Sequence, residues 1–462
     1  MLLWFGIVFR RKIEYALLTQ RSARGLRAAI VAMLFFVPLV SLLQAQESVR
    51  PSLAGEQVER LRKPSIDRSG YNLKLGAVLV DLSSSLQLEF NDNVSLSEHN
   101  RQSDFIFRPF FNANVLWQMS TVNALRLDLG IGYNKYFSQS QFDTAGLLIA
   151  PNSQLAFDIY AGDFRINLYD QFSIQQNPVD QINLSRIARF QRFQNAAGIA
   201  VTWDLNQVVI IGGYTHYLFK AIDSQFDFLD RNEEQFFLSA AVKVSDTLNV
   251  GVRGTGGLVN YDRSFQNDGV VYSAGPFVEA HLTRYLDLSL EGGYQGAQFD
   301  VNQGNRDTSQ LANFLSNYYS TLPGSIPQGN RDRSNLNSYY VRLRLDNRLN
   351  RYWTQTLSVG HEADIGLTTN YTEVTFVRYS ADWRVNSRVT CDFQAYYEHG
   401  SDSLGFFQSE TVDRYGFGVN FQFRLGRHAS MSLGYDYVNR ASDLTNRSYY
   451  QNRVLWTVRY EF

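Results

Sequence analysis

Val454, Trp456, Val458, Tyr460 and Phe462 share one parity at the end of the chain, and Arg453, Thr457, Arg459 and Glu461 share the other. A period of two places these sets on opposite faces of a strand. Runs of this kind recur along most of the sequence. Many are far longer than the 5–6 residues or so of an average soluble strand. Long strands with one apolar and one charged face fit a cylinder whose outside meets lipid and whose inside does not. The expected fold class is therefore all-β, a transmembrane antiparallel up-and-down β-barrel.

Eighteen strands are predicted, with sixteen as the alternative count: 83–94, 104–118, 122–137, 152–161, 163–176, 190–203, 207–220, 233–245, 248–262, 269–283, 285–300, 335–349, 351–366, 371–385, 388–401, 411–425, 428–441 and 447–462. Their connections alternate in length. Tight turns such as Ala161-Gly162-Asp163 and Gly426-Arg427 take turns with longer polar loops such as 95–103, 177–189 and 301–334. Short turns on the periplasmic side and long loops outside are the pattern of outer-membrane barrels. Both chain ends then lie on the turn side, which requires an even strand number.

Trp117, Trp203, Trp353 and Trp383 flank tight turns. Trp favours the membrane–water interface, so the four are read as an aromatic girdle. Lipid offers no hydrogen bonds, so the first and last strands must pair to remove the sheet edge. Pro109 and Pro276 lie inside predicted strands and imply bulges or strand ends. The pairs Gly212-Gly213, Gly256-Gly257 and Gly292-Gly293 are expected to mark bends. Gly146-Leu147-Leu148-Ile149 is apolar for a loop and is expected to fold inward or extend a strand.

A net charge of −1 gives no field that would attract nucleic acid. Cys391 is the single cysteine, which excludes an internal disulfide and a Cys-based metal site. Mean hydropathy is −0.26, against a helical membrane protein. Basic Arg21, Arg24 and Arg27 precede the apolar run from Ala28 to Leu43, and small Ala45 follows. Residues 1–45 are read as a signal peptide, with a single membrane anchor as the alternative. Residues 46–74 are read as a periplasmic N-terminal arm, and 75–462 as the barrel.

Opposite to the apolar face, the strands present Arg108, Arg126, Asp128, Arg253, Glu279, Asp287, Glu291, Arg342, Arg344, Arg378, Asp382, Arg384 and Arg424. An Arg or Lys facing hydrocarbon at mid-depth costs roughly 2–4 kcal/mol, so these groups must face water or one another. They are the pore-lining candidates. They either set a field across an aqueous lumen or neutralise one another within the wall. The longest connection, 301–334, is the expected constriction. Tyr340 and Phe237 are the positions where an aromatic platform for sugar would be sought. The six His are scattered without metal spacing, and His399 beside Glu398 and near Ser401 is a weak trio for nucleophilic chemistry. Asn91-Asp92-Asn93 reads as an Asx-type loop cap rather than a calcium loop. No enzyme activity, metal or cofactor is expected.

Leu86-Gln-Leu-Glu-Phe-Asn-Asp-Asn-Val94, followed by Ser103-Asp-Phe-Ile-Phe-Arg-Pro109, resembles the opening of the beta-barrel porin 2 family, with Phe90 where Tyr is common. Terminal Phe462 resembles the signal read by the barrel assembly machinery. The resemblance covers about 75–462. It implies a barrel in the outer membrane of a Gram-negative bacterium, and in some members a link to exopolysaccharide. The expected function is a porin-like channel for passive diffusion of small hydrophilic solutes. The alternatives are an exopolysaccharide conduit and an occluded structural or surface-binding barrel. Expected partners are outer-membrane lipid, the assembly machinery and either small solutes or polysaccharide.

Overall fold

A computed structural model describes residues 71–179, 181–263, 265–300, 332–367, 369–403 and 409–462. The signal-peptide reading of 1–45, the arm up to residue 70 and the greater part of loop 301–334 lie outside these described residues. The strands are β1 (Leu73–Leu75), β2 (Val78–Asn91), β3 (Asp104–Gln118), β4 (Ala124–Gly132), β5 (Lys135–Tyr136), β6 (Leu148–Ile149), β7 (Gln154–Ala161) and β8 (Phe164–Gln175). They continue with β9 (Arg192–Asp204), β10 (Val208–Ala221), β11 (Arg231–Ser245), β12 (Leu248–Tyr261), β13 (Gly269–Thr283), β14 (Leu286–Phe299) and β15 (Leu336–Asn350). The last six are β16 (Trp353–Ile365), β17 (Tyr371–Arg384), β18 (Val389–Asp402), β19 (Thr411–Arg424), β20 (Ala429–Ser442) and β21 (Tyr449–Glu461).

Three of these are short pieces. β1 folds back on β2 through Gly76, whose φ of 64° a side chain would resist. β5 continues β4 along β3, and β6 runs ahead of β7 between β4 and β8. The other eighteen are the staves of one closed antiparallel barrel. Each pairs with its sequence neighbour, and β21 returns to β2 from Ser83↔Glu461 to Asn91↔Arg453. The terminal Phe462 N–H donates to Leu82 O at 3.0 Å, completing the seam. With the circle closed the first and last staves cover each other's edges.

The apolar parity faces out. Leu238, Val252, Tyr339, Phe417 and Trp456 are among the exposed large hydrophobic side chains. The register carries that parity from stave to stave, as in Leu290↔Leu343 and Leu345↔Leu357. Trp117, Trp203, Trp353 and Trp383 stand on the outer parity at the turn end, with Trp353 directly opposite Trp383. At the loop end the same face carries three His–carboxylate pairs: His216–Glu234 at 3.0 Å, His361–Glu373 at 3.5 Å and His399–Asp413 at 2.8 Å. From Trp353 to His361 is eight residues. At about 3.3 Å per residue and roughly 40° of tilt, this gives an apolar band about 20 Å tall. That is close to the ~25 Å band of outer-membrane barrels. Leu238 lies mid-stave and is 60% exposed. Leu238→Arg is expected to cost roughly 2–4 kcal/mol in urea unfolding from bilayers. An unchanged midpoint would mean that this face meets water.

The expected irregularities fall where proline removes a donor. Pro109 stays in register with Leu86 on β2, and faces the break between β4 and β5 on its other side. Pro276 pairs with Val252, while the β13–β14 register omits Gly275, Pro276, Gly292 and Gly293. A Cβ on Gly275 or Gly293 would sit 2.2 or 2.1 Å from the facing backbone, so this crossing requires glycine. Two expectations need correction. Gly212-Gly213 and Gly256-Gly257 mark no break, because β10, β11 and β12 pair continuously through them. Gly213 instead leaves room for the Phe237 ring, which would meet a Cβ there at 2.4 Å. Leu148 and Ile149 extend the sheet as β6.

Candidate functional site

All the charged residues picked out by parity fall on the inner face. Arg108 stands opposite Gln87, Asp128 opposite Asn114, Arg253 opposite Ser239, Glu279 opposite Asn249, Asp287 opposite Asp346, Glu291 opposite Arg342 and Arg344 opposite Ser289. Arg378 faces Ser358, Asp382 faces Thr354, Arg384 faces Thr390 and Arg424 faces Ser430. Arg126, on the same parity of β4, reaches Asp158 at 3.0 Å.

The register brings some of these together and leaves others apart. Glu291 bonds both Arg253 and Arg342, and Arg342 goes on to Glu362 at 2.5 Å, a chain across β12, β14, β15 and β16. Farther round, Glu398 joins Arg378 at 3.0 Å to Arg414. Arg108 meets Glu89 at 2.7 Å, and Arg453 meets Asp436 at 3.1 Å. Toward the turns, Asp287 bonds His281 and Arg344 bonds Asp346, both in exposed positions, and Arg384 and Arg424 are exposed too. Glu89, Asp158, Glu362, Glu398 and Asp436 are the partners that parity alone did not single out, because a partner is set by register across loops of unequal length.

Four of these carboxylates, Glu89, Asp158, Glu398 and Asp436, lie under a more exposed arginine, whereas Arg253 and Glu291 are both covered. Arg108 is 20% exposed above a Glu89 that is fully covered. Arg126 and Arg165 lie at 18% and 20% over Asp158 at 0%. Arg378 is 27% exposed over Glu398 at 3%, and Arg453 18% over Asp436 at 9%. The carboxylate lies against the wall and the guanidinium stands over it toward the lumen. Buried aromatics lie beside two of these arginines. Phe277 supports Arg253 at 4.8 Å and Phe376 supports Arg378 at 4.3 Å. Tyr340 and Phe237 are also buried on the inner face.

The connection between β8 and β9, described at 176–179 and 181–191, enters the barrel. Val179 packs with Leu96, Val438 and Tyr449, and Ile182 packs with Val374 and Val412. Its carbonyls are held by arginines of the far wall: Arg414 Nη1 donates to Val179 O at 2.6 Å, Arg440 Nε to Ile182 O at 2.8 Å and Arg447 Nη2 to Asn183 O at 2.7 Å. Glu410 bonds both Arg440 and Arg447 from below, at 2.7 and 2.6 Å. β8 is the fifth stave and β17 the fourteenth, so the segment reaches the opposite side of an eighteen-stave barrel. Leu184, Ile187 and Phe190 then join Phe226, Phe228 and Leu229 of the 3-10 turn Ser224–Leu229, with Phe265 and Leu367, in an apolar cluster at the loop end. The sequence placed the constriction at 301–334, of which 301–331 lie outside the described residues. The segment seen crossing the barrel is the β8–β9 connection, at 176–179 and 181–191.

Among the described residues no cluster of His, Cys, Asp or Glu could hold a metal ion. Glu398 and His399 fall on opposite faces, Glu398 on Arg414 inside and His399 on Asp413 outside, so the weak trio does not assemble. Asn91 caps its loop by accepting from Asn93 N–H at 3.0 Å, as an Asx turn does.

No family model matches this chain. No curated protein matches it either. Among solved structures it is similar to the OpdK outer-membrane protein of Pseudomonas aeruginosa with vanillate, at 9% identity and a TM-score of 0.45, over 83% of this chain and 99% of that one. OccAB3 of Acinetobacter baumannii gives 10% identity and 0.45, over 83% and 99%. A BenF-like porin from Pseudomonas fluorescens Pf-5 gives 8% identity and 0.47, over 84% and 100%.

Proposed function

We propose that this barrel lies in the bacterial outer membrane and acts as a non-enzymatic channel for passive diffusion of small hydrophilic solutes, with a preference for anions. The outer band of apolar side chains needs hydrocarbon, and the inner face of paired charges needs water. Barrels of about eighteen strands are wide enough to hold a channel, whereas eight-stranded ones fill with side chains. The observation that carries the reading is the arginine-over-carboxylate asymmetry. The lumen is lined by guanidiniums whose counter-charges lie behind them, which favours negative solutes in a narrow aqueous path. Arg108, Arg126, Arg342 and Arg378 do this, while Arg253 and Glu291 form a covered pair within the wall; Asp128, Glu279 and Asp382 share the inner face toward the turns. Asp287, Arg344, Arg384 and Arg424 line the turn-side mouth.

A polysaccharide conduit would need aromatic faces presented to the lumen, and Phe237 and Tyr340 are instead buried against the wall. In planar bilayers under a KCl gradient, the purified protein is expected to conduct with a reversal potential on the chloride side. A sealed barrel or a potassium preference would refute the proposal.

Phe462 is 57% exposed and packs edge-on against Tyr460 at 5.2 Å. An exposed terminal aromatic on the last stave is where the barrel assembly machinery would bind. Phe462→Ala is expected to lower the folded yield in cells while leaving refolding into detergent unchanged. Equal losses in both would assign Phe462 to the fold alone.

A further inference from the structure

The turn-side rim of the barrel is split by charge. Four successive turns each carry one arginine: Arg284 between β13 and β14, Arg351 between β15 and β16, Arg388 between β17 and β18, and Arg427 between β19 and β20. All four are exposed, and none has a carboxylate within ion-pair distance among the described residues. Arg348, Arg384 and Arg424, near the ends of staves in the same arc, are exposed as well. The three turns before them carry acids: Asp163 between β7 and β8, Asp204 at the end of β9, and Asp246 between β11 and β12. Lys243, on that acidic arc, is taken up by Asp204 at 3.1 Å.

Their height identifies what they meet. Arg351 stands two residues beyond Trp353, and Arg384 one beyond Trp383, the girdle residues of the outer face. At about 3.3 Å per residue, these two positions lie within roughly 7 Å of the ring level, where lipid headgroups begin. Each of the four turns also exposes an apolar or aromatic side chain: Tyr285, Tyr352, Val385 and Leu425. Arg284 and Arg351 lie over the rings of Tyr285 and Tyr352 at 4.6 and 4.5 Å. A cation beside an exposed apolar group fits a molecule with a phosphate and a hydrocarbon end, whereas a soluble polyanion needs the cations alone. Leu205 and Val244 expose apolar groups on the acidic arc too. Both arcs therefore reach the interface, and they differ in the sign of their charge.

We propose that the rim from β13 to β20 binds anionic phospholipid of the periplasmic leaflet, with phosphodiesters at Arg284, Arg351, Arg388 and Arg427 and the glyceride bodies against Tyr285, Tyr352, Val385 and Leu425. The arc of Asp163, Asp204 and Asp246 turns the same lipid away. Successive turns are two staves apart, about 10 Å, so each arginine has room for its own headgroup. A cation at an anionic lipid surface gives about a fivefold preference. The arc thus gathers charged lipid on one side of the barrel. It rests on the turns facing the periplasm and does not require conduction.

The girdle supplies the reporters, because Trp353 and Trp383 sit on the basic arc and Trp203 sits beside Asp204 on the acidic one. Two variants of the full protein keep either Trp353 and Trp383 or Trp203 alone, with the other tryptophans changed to phenylalanine. Each is placed in phosphatidylcholine vesicles holding a minor fraction of chain-brominated phosphatidylglycerol or chain-brominated phosphatidylcholine, both of which quench tryptophan. At Trp353 and Trp383 the brominated phosphatidylglycerol is expected to quench severalfold more strongly, and at Trp203 no more strongly, than brominated phosphatidylcholine. Raising KCl from about 0.01 M to about 1 M cuts the screening length from roughly 30 to roughly 3 Å, and should remove the preference with every arginine in place. Arg284→Gln/Arg351→Gln/Arg388→Gln/Arg427→Gln should remove it at low salt. Asp163→Asn/Asp204→Asn/Asp246→Asn should leave it unchanged at Trp353 and Trp383. Equal quenching by the two lipids, an equal preference at Trp203, or a preference that survives both the salt and the fourfold variant would overturn the proposal. So would release of phosphatidylglycerol by soluble polyglutamate, which would assign the arc to an acidic polypeptide.

Discussion

Excision of residues 179–188, with a short glycine–serine bridge from β8 to β9, is expected to raise single-channel conductance severalfold. Gln175 and Arg192 already face each other across the two strands, so a tight loop can join them without disturbing the wall. What the excision removes is the bar across the lumen, anchored on Arg414, Arg440 and Arg447. Each guanidinium-to-carbonyl bond contributes roughly 1.5–3 kcal/mol, because a charged donor is involved. Three of them, with Ile182 and Val179 packed on the far wall, hold the segment in place against its own chain entropy. Glu410 is the keystone, since it fixes two of the three arginines. Glu410→Gln should therefore give a noisier and larger conductance than the parent, short of the full excision. Unchanged conductance in an excised barrel that still folds would mean that the segment does not limit the path.

Glu291→Gln is expected to destabilise the barrel by roughly 3–5 kcal/mol, the usual cost of breaking a buried ion pair from one side. Glu291 is 4% exposed and serves two arginines at once. A glutamine of the same shape leaves Arg253 and Arg342 close together, with Glu362 the one carboxylate remaining in the chain. Arg253 is at least as covered as Glu291, so water cannot take over. The contrasting case is Arg344→Gln. That residue is 49% exposed beside Asp346, where a pair contributes about 0–1 kcal/mol. Unfolding midpoints in urea distinguish the two. Similar shifts would show that the inner chain is well solvated and the wall wetter than its exposures imply.

The barrel was legible in the sequence because its signal repeats. Parity alone put Arg342 inside and Leu343 outside, and the alternation of tight and long connections gave the even stave number. The inner charges were legible one by one for the same reason. Their partners were not. Glu291 meets Arg342 only through the register set across the long connection between β14 and β15, and no periodicity within either strand encodes it. The crossing segment was hidden more deeply. Val179, Ile182, Leu184 and Ile187 are spaced among polar residues and read as an ordinary loop. Their anchors lie 235 to 264 residues away in the chain. Length pointed to 301–334, whose greater part lies outside the described residues; the insertion that is seen depends on apolar side chains meeting a receptive far wall. Gly292-Gly293 falls at a break in the register as expected, but Gly212-Gly213 and Gly256-Gly257 misled. A glycine that makes room for a cross-strand ring leaves the same mark in a sequence as one that bends a strand.

The division of side chains between lipid and lumen is tested most directly by nitroxide labels placed singly along β19, from Tyr415 to Arg424. Tyr415, Phe417, Val419, Phe421 and Phe423 are expected to be quenched by oxygen dissolved in lipid. Gly416, Gly418, Asn420, Gln422 and Arg424 should be quenched by a water-soluble nickel chelate, giving a strict period of two. Equal access of the chelate to both sets would contradict a barrel that meets oil outside and water within.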